Sequence, residues 1–141
     1  MSRAARKAEN MEKALRADGV RITRQRAALL QVLADADDHP DAAELHRRAR
    51  EIEDTVSLAT VYRTLSALEA QGVVHRLAFE GESARFETTD APHHDHIIDL
   101  DTGEVIEFRS DKIEALQALI AKELGYEVVR HRLELYCRKR R

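Results

Sequence analysis

Three of the chain's seven histidines fall within four residues, His93-His94-Asp95-His96, and these are residue types that hold an exchangeable divalent metal. Side chains alternate across an extended strand. His93 and Asp95 would therefore point to one face, and His94 and His96 to the other, so that each face offers a pair of ligands and two sites are implied. Imidazole and carboxylate without thiolate suit Fe(II), Mn(II), Zn(II) or Co(II) rather than a closed structural zinc site. Glu87, Glu107, Glu114, His39 and His131 could complete the two sets, but separation along the chain does not say which of them converge. The plainer alternative is a hydrated, histidine-rich strand start whose metal binding is incidental.

A second arrangement suits nucleic acid. Ser57 can cap a helix whose Leu58, Val61, Leu65 and Leu68 form an inward stripe before Gly72 ends it. At about 100° per residue, Arg63 points roughly 175° away from the centre of that stripe. Ala59, Thr60 and Ser66 stand beside it and Tyr62 lies on the flank. An ordinary solvated helix carries Glu and Lys on its outer face. Small residues around one Arg and one Tyr fit insertion into a groove.

The elements around these two stretches can be read from periodicity and stop signals. A helix near residues 5–18 carries Ala8, Met11 and Leu15. Thr23 caps a second helix through Ala36, with Ala27, Leu30 and Leu33 on its apolar side. Asp41, with Glu44 three residues on, opens a third through Ile52 in the manner of a capping box. After the fourth helix, residues 73–79 and 83–88 read as two strands around Glu80-Gly81-Glu82, which makes a wing. Helices followed by a two-stranded wing predict a winged helix-turn-helix over residues 1–88. Residues 89–92 then form a hinge. Residues 93–141 form a small α/β domain with strands at 93–101 and 104–109, a helix over 111–124 bearing Ile113, Leu116, Ile120 and Leu124, and a last strand over 127–137. The class is α+β. About fifty residues give a thin core, so a second copy of the chain is expected to complete the C-terminal domain.

Charge distribution agrees with a DNA-facing N-terminus. The net charge is -3, yet residues 1–30 hold eight basic groups against three acidic ones, including Arg21. No run approaches the roughly 18 apolar residues of a membrane span. The start lacks the apolar core of a secretory signal, and Cys137 is the one thiol, so a cytoplasmic protein without an internal disulfide is expected.

Taken together, Ser57-Leu58-Ala59-Thr60-Val61-Tyr62-Arg63-Thr64-Leu65, Arg85-Phe86-Glu87, His93-His94-Asp95-His96 and Gly103-Glu104-Val105-Ile106-Glu107-Phe108 resemble the ferric uptake regulator (Fur) family in order and spacing, nearly end to end. The resemblance implies a homodimer that represses iron-uptake and metal-homeostasis genes by binding an AT-rich palindromic DNA operator when loaded with metal. It implies DNA contacts from Tyr62 and Arg63 in the major groove and from Arg21 in the minor groove. It also implies a regulatory metal site of His39, Glu87, His94 and His96, with Glu107 as a further ligand, and a second site of His93, Asp95, Glu114 and His131. Many relatives carry a CxxC structural zinc site where this chain has Asp99 and Thr102, so that site is absent. The same loss is found in a subgroup that includes manganese-responsive Mur proteins, which leaves Fe(II) and Mn(II) as the two physiological co-repressors to distinguish, with Zn(II) or Mn(II) filling the sites in vitro. Peroxide-sensing relatives use Asp at Glu87 and Glu107, which tilts the reading away from them.

Two rivals come from other classes. His and carboxylate sets also build metallohydrolases and non-haem iron oxygenases, but the sequence offers no nucleophile motif and the wing has no use in such chemistry. A metal-storage protein would bind metal without preference for DNA, and the Tyr62-Arg63 face argues against it.

Overall fold

Each of five helices in the computed structural model, which describes residues 1–78, 81–89 and 94–141, begins at a side chain that accepts a backbone amide otherwise left without a partner. Ser2 caps α1 (Arg3–Ala17), Thr23 caps α2 (Arg24–Asp35), Asp41 caps α3 (Ala42–Ile52), Ser57 caps α4 (Leu58–Ala70) and Ser110 caps α5 (Asp111–Glu123). The capping box expected at Asp41 is only half made. The Glu44 amide donates to Asp41 Oδ1 at 2.8 Å, but the Glu44 carboxylate turns instead to the Arg47 and Arg48 guanidiniums, which hold it down to about 2. Arg48 also donates to Asp38 Oδ1 at 2.9 Å, fastening the loop before α3 onto that helix.

The chain divides into two compact units, Met1–Ala91 and Pro92–Arg141. In the first, Met11 and Leu15 of α1, Leu29 and Leu33 of α2, Leu45 of α3 and Val61, Leu65 and Leu68 of α4 are buried in one core. The inward stripe of α4 is Val61, Thr64, Leu65 and Leu68. Leu58, expected in it, is 41% exposed. Thr64 joins the stripe because its hydroxyl donates to the Thr60 carbonyl at 2.7 Å, which satisfies its polar atom inside the helix. Ala27 is likewise exposed, and α2 turns Ala28 inward instead.

The wing pairs β1 (Val74–Leu77) antiparallel with β2 (Arg85–Thr88), in register from Val74 opposite Thr88 to Leu77 opposite Arg85. Both strands are shorter than expected, and the expectations for Phe79 and Glu80 fall outside the described residues. The other edge of β2 is also occupied. Asp41 forms an antiparallel bridge with Arg85, and the Phe86 amide donates to the Pro40 carbonyl at 2.9 Å. Proline has no amide to donate, so it suits an outermost position of this kind.

The second unit contains β3 (Asp95–Asp99), β4 (Val105–Phe108) and β5 (Glu134–Cys137) in the order β4-β3-β5, with β3 antiparallel to β4 and parallel to β5. Helix α5 connects β4 to β5. The last strand was expected to begin at Glu127. Residues 127–133 are irregular, and Val129 is 90% exposed. Helix α5 has no buried residue, and its Leu116, Leu119, Ile120 and Leu124 are all exposed. No helix among the described residues is long and apolar enough to cross a membrane.

The turn leaving β3 is held without a metal. Asp99 Oδ1 accepts the Asp101 amide at 2.9 Å and the Thr102 amide at 3.3 Å. Gly103, at φ +76, supplies the left-handed residue that lets its own amide reach the Asp99 carbonyl at 2.8 Å. The Asp101 amide, more than any other group, holds the Asp99 carboxyl below its ordinary range. A carboxyl lowered by folding stabilises the native state above the ordinary carboxylate range and loses that contribution as pH falls through the lowered value. Thermal melts should therefore show Asp99→Ala less stable than wild type at pH 7, with the difference shrinking in strong acid. Equal melting temperatures at pH 7 would rule out this role for the turn.

Candidate metal centres and nucleic-acid helix

Successive residues at the start of β3, from His94 just before it to His96, alternate between two neighbourhoods of the second unit. On one side, His94 and His96 stack edge to face with ring centroids 4.9 Å apart, and His94 Nε2 lies 3.5 Å from Glu107 Oε1. His96 stands directly across from Glu107 in the β3–β4 register, which brings that carboxylate to the same face. One ligand atom from each of His94, His96 and Glu107 lies within 4.8 Å of the others. On the other side, Oδ1 of Asp95, 1% exposed, lies 2.9 Å from His131 Nε2, and Glu114 Oε2 lies 3.6 Å from His131 Nδ1. Asp95, Glu114 and His131 also offer ligand atoms within 4.8 Å of one another. Glu114 comes from the first turn of α5 and His131 from the segment just before β5, so three separate pieces of chain build this group. His93, paired with Asp95 in the sequence reading, lies outside the described residues.

The first unit contributes one further pair. Extending the Asp41–Arg85 bridge by two residues sets His39 opposite Glu87, and His39 Nε2 lies 3.1 Å from Glu87 Oε2. Both side chains are largely withdrawn from solvent, at 9% and 12% exposure. A neutral imidazole beside a carboxylate, withdrawn from bulk water, can coordinate a divalent ion or hold a hydrogen bond in its absence. The donor chemistry of all these groups, nitrogen and carboxylate oxygen without sulfur, fits Fe(II), Mn(II), Zn(II) or Co(II).

Helix α4 exposes Ala59, Tyr62, Arg63 and Ser66. Tyr62 is 54% exposed, and Arg63 Nη2 makes a long 3.4 Å contact to Thr60 Oγ1. Ser57 donates to the same Thr60 hydroxyl at 2.9 Å. Arg21 is exposed in the loop between α1 and α2, where Arg26 Nη1 donates to its carbonyl at 2.9 Å and fixes the local backbone. Periodicity did not reveal this last contact, nor the 2.8 Å bond between His46 Nε2 of α3 and the Val56 carbonyl just before α4. Both join residues through tertiary geometry. A solvent-facing Tyr and Arg surrounded by small side chains leave room for a groove to approach the helix.

A family model described as the ferric uptake regulator family matches residues 17–136. A ferric uptake regulation protein of Brucella abortus biovar 1 (strain 9-941) is 58% identical over 128 residues, covering 91% of each chain. Two solved structures are similar throughout. A zinc-bound manganese uptake regulator is 46% identical with a TM-score of 0.72, over 92% of this chain and 98% of its own. The ferric uptake regulator from Pseudomonas aeruginosa with manganese is 42% identical with a TM-score of 0.79, over the same shares.

The two faces of β3 should be separable in solution. Co(II) titrated into the full chain and followed by its visible absorption should fill more than one class of site. Asp95→Asn or His131→Ala should delete one class and His94→Ala another. Full stoichiometry in all three variants would show that these residues are not ligands.

Proposed function

The chain belongs to the ferric uptake regulator family, and from that premise we propose that it is a repressor that binds an AT-rich palindromic operator as a metal-loaded homodimer and controls iron uptake and metal homeostasis in the cytoplasm. As a member of that family it is a metal-responsive transcriptional regulator and not an enzyme. The observation that carries the more specific reading is the division of ligands on β3, with His94 and His96 beside Glu107 and Asp95 beside Glu114 and His131.

In this reading His39 and Glu87 of the first unit and His94, His96 and Glu107 of the second are ligands of one regulatory ion. A bound divalent ion supplies positive charge and directional coordination to all of them at once. The residues do the rest. Shared coordination ties the winged helix to the C-terminal unit, restricting where α4 can present Tyr62 and Arg63. Asp95, Glu114 and His131, with His93, form the second site. The exposed Leu116, Leu119, Ile120 and Leu124 of α5 support pairing with a second copy, because such an apolar face gains stability when covered. The residues 1–88, 89–92 and 93–141 would then act as reader, hinge and sensor.

Fe(II) is the co-repressor we favour. A manganese-responsive role is the second reading, favoured by the 46% identity to a manganese uptake regulator. Oxygen and nitrogen donors admit either ion, so the discrimination must come from relative affinity and supply. DNA and metal are linked: an ion that tightens operator binding is itself held more tightly on DNA by the same factor.

Fluorescence anisotropy of a Fur-type palindromic duplex at fixed salt tests the proposal. Affinity should be low for chelated protein, rise with Mn(II) or anaerobic Fe(II), and fall again on chelation. Binding indifferent to every metal would overturn the repressor reading. Arg63→Ala should abolish operator preference, with a loss of at least about tenfold as for a strong base or phosphate contact, while metal stoichiometry is kept. Operator affinity equal to wild type would remove α4 from the interface.

A further inference from the structure

The first unit contains a short backbone seam that runs from the His39–Glu87 pair to the start of α3. Residues 39–41 lie along the edge of β2 away from β1, and α3 starts at the next residue, Ala42. Three rungs make the seam. At one end His39 faces Glu87 at 3.1 Å, in the middle the Phe86 amide donates to the Pro40 carbonyl at 2.9 Å, and at the other end Asp41 pairs with Arg85. Asp41 divides its carboxylate between two jobs. Oδ1 accepts the Glu44 amide and caps α3, while Oδ2 accepts the Ser83 hydroxyl of the wing at 2.9 Å.

We propose that this seam couples metal occupancy to DNA reading inside the winged helix itself, with Asp41 and Ser83 as positioning residues that transmit the restraint from the His39–Glu87 pair to the wing. The proposal rests on His39 and Glu87 being metal ligands, as inferred above. The reasoning is mechanical. An antiparallel pair held by one backbone bond in its middle can fray from either end, since proline contributes no second bond. His39 and Glu87 sharing an ion close the seam at one end. Asp41 and Ser83 close it at the other, and through the Asp41 cap they also fix the start of α3, which packs on α4. With both ends closed, wing and recognition helix are held as one body. With either end open, the wing can shift against α3 and the geometry that fits the operator is less populated. Coupling by this route adds to any restraint between the two units, because every residue of the seam belongs to the first.

Ser83 is exposed and outside the core, so Ser83→Ala removes the latch without disturbing the α3 cap or the metal ligands. Operator affinity of the full chain is measured with chelator and with Mn(II), together with hydrogen exchange of peptides covering Phe86. In wild type, Mn(II) should raise operator affinity and slow exchange at Phe86. In Ser83→Ala, affinity without metal should match wild type, while the gain on adding Mn(II) falls by about three- to tenfold, the range for one lost hydrogen bond, and Phe86 is protected less. Ser83→Thr, which keeps the hydroxyl, should restore both. A Ser83→Ala variant with the full metal-dependent gain overturns the seam and leaves the repressor intact. So does an equal loss of affinity with and without metal, since that marks a purely structural contact. A wild type with no metal-dependent gain overturns the repressor reading and the seam with it.

Discussion

Burying an ionisable side chain costs free energy unless another group compensates it, and the second unit accepts that cost at its centre. Among its described residues the buried ones are Asp95, His96, Ile98 and Asp99, all on β3. Three of these four could carry charge. An apolar strand would have made a more stable sheet. Here the inner positions go to ionisable side chains, and apolar residues that would ordinarily fill them stand outward on α5. Much else follows from that inversion. His131 must approach Asp95, Glu107 must stand across from His96, and the helix face of Leu116, Leu119, Ile120 and Leu124 must find cover elsewhere.

The first unit is built by the opposite rule. Its core is apolar, largely aliphatic with Phe86, its polar intruder Thr64 is satisfied by its own helix, and exposed ion pairs such as Glu44 with Arg47 lie outside that core. This is a stiff support on which a few exposed side chains can be aimed. Tyr62 and Arg63 project from a helix anchored by Val61, Leu65 and Leu68, so their directions are set by burial on the far side. His39 and Glu87 owe their meeting to strand register instead. The first unit thus aims its exposed groups by packing on the far side of a helix and pairs its withdrawn ones by strand register.

Local features were the legible ones. The caps at Thr23, Asp41 and Ser57, the wing, and the grouping of His94, Asp95 and His96 all leave marks within a few residues of chain. The inward stripe was placed one turn early because Leu58 is apolar, and hydrophobicity alone does not show that Thr64 can bury a hydroxyl by bonding to Thr60. The final strand was drawn too long because Val128 and Val129 favour extended chain, whereas a strand also needs a neighbour to pair with. Contacts such as Ser83 with Asp41 or Phe86 with Pro40 join residues more than forty positions apart. No period in the sequence encodes them.

The turn at Asp99 has a consequence for how such a sensor lives with fluctuating metal. Its shape is set by a carboxylate, two backbone amides and a glycine, whereas a thiolate-zinc staple at the same place would make folding depend on zinc supply and on the thiols staying reduced. A turn made of oxygen and nitrogen is indifferent to both. Starvation for zinc or a burst of oxidant leaves this turn standing, so its shape is insulated from stresses that would dissolve a thiolate staple.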